Sequence, residues 1–558
     1  MPVVKRKRKL GAGGGSRGGA KEISTLRPRW APKIPPCKAA CPNNNDVRFC
    51  LTTIAQSESS GLTYTESLEK AWDIITNTNP FPSTCGRVCP HMCQDDCNRN
   101  EKDGSVNFSA IERSIGDFGI KQGLSHKKIR EESYLEKVAV IGSGPSGLSC
   151  AYQLARRGYP ITVFEAFDKA GGMLRWGIPG YRLPKDILDG EIAAILNLGI
   201  EIKYNTRVGD KLSFDDLQKE YKAVYVAIGA HQGIKLGIPS EDAPNVFTGV
   251  DFLNKVNAGE KVDVGQKVAV IGGGNSTIDA ARVSLRLGAN VSILYRRTRK
   301  EMPAIEHEIV AAEEEGINFE FLTAPVEILK NGDKVTGVKC IRMELGEPDA
   351  SGRPRPIPVE GSEFNVETDT LITAISQKPD FEGLERVKSE DGWISINEKN
   401  QTSLDGVFAG GDVTNRLGLV SEAIGLGRKA AESIDAYLRG VVPDEVIALP
   451  VIAASAVKPE YFETQPRHEE PSLGVSERVN NFTVITSALE ETQIISETKR
   501  CFSCGQCFSC DACFSYCSEG AVKRTPEGAD LKYEFALSLC TGCKKCAEEC
   551  PCGFIDMV

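Results

Sequence analysis

Residues 138–166 read VAVIGSGPSGLSCAYQLARRGYPITVFEA. An apolar strand, Val138–Ile141, runs into Gly142, Gly144 and Gly147 spaced as G-x-G-x-x-G; a helical pattern follows, then a second strand ending in Glu165. The three glycines have different roles. Gly142 permits the tight turn, Gly144 lets the backbone approach a pyrophosphate, and Gly147 lets helix pack on strand. The diphosphate then meets the positive end of the helix. Glu165 stands where a carboxylate accepts hydrogen bonds from an adenosine ribose. Strand, turn, helix and acid together predict a dinucleotide-binding α/β unit.

The pattern recurs. Residues 267–300, KVAVIGGGNSTIDAARVSLRLGANVSILYRRTRK, carry a strand at Val268–Ile271, then Gly272 and Gly274, with Thr277 in the third position. Thr277 is larger than glycine, so this helix is expected slightly farther from its strand. The second strand ends in Arg296 and Arg297 rather than an acid, which suits the extra phosphate of NADP; the alternative is a pair of surface charges. Two such units are what a flavoprotein reductase needs, one for FAD and one for the nicotinamide. A return to the first unit is visible in 406–434, where a strand leads to Gly410, Gly411 and Asp412 and a helix begins near Leu419. Asp412 is placed to bond the ribityl chain of a flavin.

Around this centre the composition narrows the choices. The chain has 558 residues, too many for one core, with 41% hydrophobic and 26% charged residues and a net charge of −9. That balance argues against a general nucleic-acid binder. The opening MPVVKRKRKLGAGGGSRGGAKE is basic and glycine-rich without a signal-type apolar core, so residues 1–35 read as a flexible arm. No apolar run suits a membrane span. Of the twenty cysteines, seven fall between Cys37 and Cys97 and eleven between Cys501 and Cys552. Without a secretory signal they read as metal ligands in a reducing, cytoplasmic setting rather than as disulfides.

The carboxyl-terminal group has ferredoxin spacing. CTGCKKCAEECP, from Cys540, is C-x2-C-x2-C-x3-CP, in which the fourth cysteine ligates the other cluster. In the preceding run of six cysteines, Cys507, Cys510, Cys513 and Cys517 repeat that spacing, with Ser518 in place of the proline. One four-iron cluster is therefore assigned to Cys507, Cys510, Cys513 and Cys550, and another to Cys517, Cys540, Cys543 and Cys546. Cys501, Cys504 and Cys552 are left over, as plain thiols or alternative ligands.

AGGMLRWGIPGYRLPK (170–185), GGGNSTIDAAR, YRRTRKEMPA and GGDVT together resemble the small-subunit family of glutamate synthase, over about residues 35–440. That family includes halves of dihydropyrimidine dehydrogenase and of electron-bifurcating ferredoxin:NADP oxidoreductases. One departure is Ser376, where the family has glycine, which puts the local turn in question. The resemblance implies FAD contacts at Gly142, Gly144, Pro145, Ser146, Gly147, Glu165, Gly172, Arg182, Gly229, Gly411 and Asp412. For the nicotinamide nucleotide it implies Gly272, Gly274, Asn275, Ser276, Thr277, Arg296 and Arg297. It also implies iron at the amino-terminal cysteines, where zinc is the other reading. One cluster can be completed by Cys41, Cys89, Cys93 and the carboxylate of Glu112; a second keeps only Cys37 and Cys97. Cys85 is a non-ligand and Cys50 a core thiol. The other reading of Glu112 is an exposed helix acid or a partner of Arg113.

The expected fold is α/β: two nested Rossmann-type domains with a helical iron–sulfur domain before them and a ferredoxin-like domain after. The expected boundaries are 36–135 (iron–sulfur), 136–265 and 370–440 (FAD), 266–369 (NAD(P)), 441–496 (extended linker) and 497–558 (ferredoxin-like). A chain ending near Glu497 is expected to fold and bind FAD. The expected activity is electron transfer between NADPH or NADH and a protein acceptor through FAD and 4Fe-4S clusters, about three per chain. The ferredoxin-tailed members that this chain most resembles imply dissimilatory sulfite reductase as that acceptor; ferredoxin, or another reductase such as glutamate synthase, is the alternative. A non-catalytic iron–sulfur adaptor and a self-contained small-molecule oxidoreductase are weighed beside it. Neither a nucleic acid nor a membrane is expected as partner, and association with a second copy is left open.

Overall fold

The computed structural model describes residues 23–349, 352–415, 418–441, 448–526 and 531–558. Most of the expected amino-terminal arm, residues 1–22, lies outside these. So does 442–447 of the expected linker.

The first glycine turn closes a five-stranded parallel sheet ordered Val407–Ala409, Ala223–Val226, Val138–Ile141, Ile161–Phe164 and Glu201–Lys203. Its inner strands are apolar and buried at every position, as both covered faces of a parallel sheet require. Helix Val420–Arg439 returns across this sheet and packs on helix Pro145–Arg156. A Cβ on Gly427 would meet the Ser146 carbonyl oxygen at 2.2 Å, so only glycine admits that approach. Gly147 does the same inside the turn, where a Cβ would lie 2.0 Å from the Gly142 carbonyl oxygen.

The second glycine turn opens a second parallel sheet of five strands, ordered Asn318–Phe321, Asn290–Tyr295, Lys267–Ile271, Thr370–Thr373 and Val246–Thr248. Its two outlying members correct the expected boundaries. Val246–Thr248 precedes residue 266 and Thr370–Thr373 follows 369, yet both pair in this sheet. The chain crosses between the two units where Gln232–Gly233 pairs antiparallel with Gln377–Lys378. Ser376 sits at that crossing, where its carbonyl oxygen accepts from the Ile234 N–H (3.0 Å), and its φ is not positive. A glycine is therefore not needed there. An antiparallel four-stranded sheet follows, Thr323–Asn331, Lys334–Pro348, Pro354–Pro358 and Phe364–Glu367, in which the other three strands all pair with Lys334–Pro348; it was not expected from the sequence.

The amino-terminal domain is helical: Val47–Ala55, Tyr64–Thr76, Pro82–Val88 and Phe108–Gln122. Thr63 and Glu66 form a reciprocal capping box on the second, and the Asn107 side chain caps the last. Helices Pro82–Val88 and Phe108–Gln122 touch backbone to backbone. A Cβ on Gly116 would meet Ser83 N at 2.1 Å, and one on Gly86 would meet Arg113 N at 2.3 Å. This contact brings the end of the first helix, with Cys89, against the face carrying Glu112.

The carboxyl-terminal module has two short helices, Ala512–Tyr516 and Lys545–Glu548, and a hairpin of Val522–Arg524 with Tyr533–Phe535. It is not a free tail. Residues 23–35, expected at the end of an arm, run along it instead: Pro28–Trp30 pairs antiparallel with Ile555–Met557, and the Trp30 ring lies 4.3 Å from that of Phe535. Large aromatic surfaces of this kind stabilise a contact when they leave water together. The expected linker is likewise docked. Helix Glu491–Thr498 adds Ile494 to the core of the amino-terminal domain, which also takes in Leu489 and Cys501.

Candidate functional site

A cavity of about 880 Å³ lies between the two sheets. Its wall contains both turns at once: Gly142, Gly144, Pro145 and Ser146 from the first, Gly274, Asn275 and Ser276 from the second. Glu165, Gly172, Arg182, Gly229, Gly411 and Asp412 also line it. Gly172 has φ +53 and a Cβ there would meet Gly144 Cα at 2.7 Å, so two bare backbones face each other where a pyrophosphate needs close approach. Gly147, Gly272 and Thr277 stand behind the wall and shape it. Thr277 is fully buried, and its hydroxyl donates to the Ala374 carbonyl oxygen (3.3 Å), which is how the larger residue is accommodated.

Several side chains are already oriented. One Glu165 carboxylate oxygen accepts from Ser143 N (2.9 Å) and the other from Phe167 N (2.9 Å), fixing the acid at the strand end. Burial pushes the Asp412 carboxyl up to about 6. The Asn275 side chain accepts from Ile305 N (2.9 Å), and Ala304 N donates to Gly273 O (3.1 Å), folding the KEMPA segment back on the second turn.

The arginines separate. Arg182 holds Asp279 through Nη1 (2.8 and 2.9 Å) and Glu308 through Nε (2.8 Å), so its charge is matched across the domain boundary. Arg297 is 3% exposed, pairs with Asp349 (2.7 Å) and donates to Pro354 O (2.8 Å). It thereby ties the second unit to the strand Pro354–Pro358. Arg296, next to it, is exposed at the strand end. Arg297, Arg353 and Arg296 together make the potential around Tyr295 positive, and Tyr295 packs against Gly273 of the turn.

The cysteines fall into groups, identified by which thiols repel one another through space. Burial raises Cys41, Cys85, Cys89 and Cys93, the Glu112 charge raises all four further, and Cys89 is pushed up to about 12. Glu112 itself is 3% exposed and accepts from Asn79 (3.0 Å) and Asn45 (3.2 Å), with His91 Nε2 at 3.6 Å. It is neither exposed nor paired with Arg113, whose partner is Glu470. Cys507, Cys510, Cys513 and Cys550 form a second mutual group, and Cys517, Cys540, Cys543 and Cys546 a third. Backbone N–H groups point at sulfur in each: His91 at Cys89 (3.4 Å), Phe554 at Cys550 (3.3 Å) and Ala521 at Cys517 (3.2 Å). Such bonds set the potential of an iron–sulfur centre. Cys552 Sγ lies 3.7 Å from Cys550 Sγ, and that hydrogen bond draws Cys550 down to about 6.

Cys85 and Cys50 are buried thiols, the first turned to Asn79 Oδ1 (3.8 Å), the second to Ala71 O (3.7 Å). Cys37 and Cys97 do not join the Glu112 group; they face Cys501 and Cys504. Among the described residues, no three or more ligating side chains close on a single metal ion.

Sequence reasoning missed the walls that join these sites. Val88 and Pro90, flanking Cys89, line the cavity beside Leu419 and Val420. Cys89 Sγ lies 3.6 Å from Ser421 Oγ at the start of the returning helix. Only the contact of the iron–sulfur domain with that helix creates this neighbourhood.

Two family models match the chain: pyridine nucleotide-disulphide oxidoreductase over residues 136–427, and dihydropyrimidine dehydrogenase domain II, 4Fe-4S cluster, over 31–124. Among known proteins it is 37% identical to the NADPH-Fe(3+) oxidoreductase subunit beta of Geobacter sulfurreducens, over 84% of this chain and 74% of that one. It is 38% identical to the NADP(+)-dependent formate dehydrogenase subunit beta of Moorella thermoacetica, over 84% and 70%. With the glutamate synthase [NADPH] small chain of Escherichia coli it shares 36%, over 72% and 89%. The chain belongs to the pyridine nucleotide-disulphide oxidoreductase family, as an FAD-dependent oxidoreductase that carries 4Fe-4S clusters.

Proposed function

We propose that the chain is an electron-input subunit, passing electrons between NADPH and a protein partner. One observation carries the reading: a single cavity is bounded by both glycine turns and, on its far side, by the residues flanking Cys89. Nucleotide, flavin and iron–sulfur sites thus share one wall. The relatives are themselves named as subunits or as a small chain. When bound, FAD exchanges a hydride with the nicotinamide and single electrons with the 4Fe-4S clusters.

The chain's own residues do the positioning. Gly144 and Gly172 admit the diphosphate against the start of helix Pro145–Arg156. Glu165 receives the ribose and Asp412 the ribityl chain. Arg182, clamped to Asp279 and Glu308, holds the nucleotide domain in register with the flavin domain. Val88, Pro90, Ile178 and Leu419 keep water from the space between the rings. None of the chain's side chains would need to act as a base, since the bound cofactors would supply the hydride chemistry themselves.

The acceptor expected from the sequence, a dissimilatory sulfite reductase, remains a candidate beside ferredoxin and the catalytic subunit of another reductase. Anaerobic stopped-flow mixing with NADPH tests the reading: flavin bleaching is expected, followed by bleaching of the clusters. Absence of flavin bleaching would make the chain an iron–sulfur adaptor. Affinity capture from native extract, followed by NADPH-dependent reduction of the captured protein, identifies the partner.

A further inference from the structure

We propose that Cys37, Cys97, Cys501 and Cys504 hold a further 4Fe-4S cluster, built jointly from the two ends of the chain. The inference rests on the oxidoreductase reading and adds a ligand set to it.

Cys37 lies on the short helix Pro36–Ala39, and Cys97 precedes the turn Asn98–Glu101. By sequence each is a single ligand without partners. Cys501 and Cys504 have C-x2-C spacing but fall outside the ferredoxin repeat. The fold brings the two half-sets together and holds them there. Asn98 Nδ2 lies 3.5 Å from Cys504 Sγ. Arg99, two residues beyond Cys97 and 1% exposed, donates to the carbonyl of Arg500, which adjoins Cys501. Arg48 clamps the other edge, giving Nη1 to Cys504 O (2.7 Å) and Lys33 O (3.1 Å). Cys501 belongs to the core that Cys37 packs against. Lys33, four residues before Cys37, donates its N–H to Gly505 O (3.2 Å), next to Cys504. These contacts set the two half-sets side by side.

The four cysteines are free and so available as ligands. Ser503 N donates to Cys501 Sγ (3.4 Å), as the backbone does at Cys89, Cys517 and Cys550.

The position gives the cluster a place. The short helix of Cys37 packs on helix Met92–Asp95, which carries Cys93 of the Glu112 group, while Cys504 is followed after two residues by Cys507 of the next. The site stands between the flavin-side group and the carboxyl-terminal pair.

The deciding measurement is the iron content of the full chain, purified without oxygen and reconstituted with iron and sulfide. Native mass and iron analysis are expected to read about sixteen irons per chain rather than about twelve, with one FAD. Cys37→Ala and Cys504→Ala should each lose about four irons and the same electron paramagnetic resonance signal, at unchanged FAD content. The double variant should lose no more. Wild type stopping at about twelve irons with FAD bound would overturn the site while leaving the oxidoreductase reading intact. Loss of different signals in the two single variants would overturn it as well. A protein that binds neither FAD nor iron would instead defeat the oxidoreductase reading.

Discussion

Glu112 shows what a single side chain decides. A carboxylate buried among Cys41, Cys89 and Cys93 and bonded by Asn45 and Asn79 is held where a fourth ligand would stand. As a harder donor than thiolate it would alter cluster potential. Glu112→Ala is expected to lose or convert one cluster, and Glu112→Cys to keep it with a shifted potential; redox titration followed by paramagnetic resonance checks both. The nucleotide arginines give a second test at this scale. Arg297 is tied to Asp349 and Pro354, whereas Arg296 is exposed beside the turn. Arg296→Ala should raise KM for NADPH about tenfold or more with little change for NADH, since one charge-assisted contact is worth about 1.5–3 kcal/mol. Arg297→Ala should lower stability and affect both nucleotides alike. Steady-state kinetics with each nucleotide separates the cases.

At the scale of elements, helix Pro82–Val88 is held by a carboxyl group at its start. Glu191 accepts from Ser83 N (2.6 Å), Thr84 N (3.1 Å) and Thr84 Oγ1 (2.6 Å). Burial is the chief cause that raises it from 4.5 to about 8. The folded state thus keeps a proton that the unfolded chain releases near 4.5. Its contribution is complete below about pH 4.5 and is lost as pH climbs through about 8. Glu191→Gln, which cannot ionise, should flatten the fall in Tm between about pH 5 and about pH 8; an unchanged slope would show that the acid is ionised throughout. The same helix carries Cys89 to the cavity, so this packing supports the electron path as well as stability.

For the whole molecule, the two cysteine-rich ends form one body. Glu497 and Arg500, both fully buried, join the ends: Glu497 accepts from Asn107 N (2.7 Å) and His468 N (2.9 Å), and Arg500 donates to Ser105 O (2.8 Å) and Gly104 O (2.8 Å). A chain ending at Ser496 loses these bonds and Cys501 and Cys504. It should still bind FAD, because both sheets and the cavity lie before residue 440. Its iron is expected to fall to about four per chain, from the Glu112 group alone, and its amino-terminal domain to melt earlier. About eight irons after truncation would mean that Cys37 and Cys97 are served from elsewhere. Among the described residues no helix is long and apolar enough to cross a membrane.

Local pattern was enough for the parts whose chemistry is local. Gly142, Gly144 and Gly147 follow a strand and open a helix, and ferredoxin spacing by itself divides Cys507, Cys510, Cys513 and Cys550 from Cys517, Cys540, Cys543 and Cys546. Such motifs are legible because turn geometry and ligand spacing are properties of neighbouring residues. The sequence also singled out Glu112, through the family pattern that its helix resembles. It could not say that Arg297 is already paired, nor that strands Val246–Thr248 and Thr370–Thr373 share a sheet, because their partners are distant in the chain. Cys37 and Cys97 were equally opaque: their neighbours Cys501 and Cys504 lie more than four hundred residues away. Only the docking of helix Glu491–Thr498 on the amino-terminal core, an apolar contact whose register no local spacing encodes, brings those four thiols together.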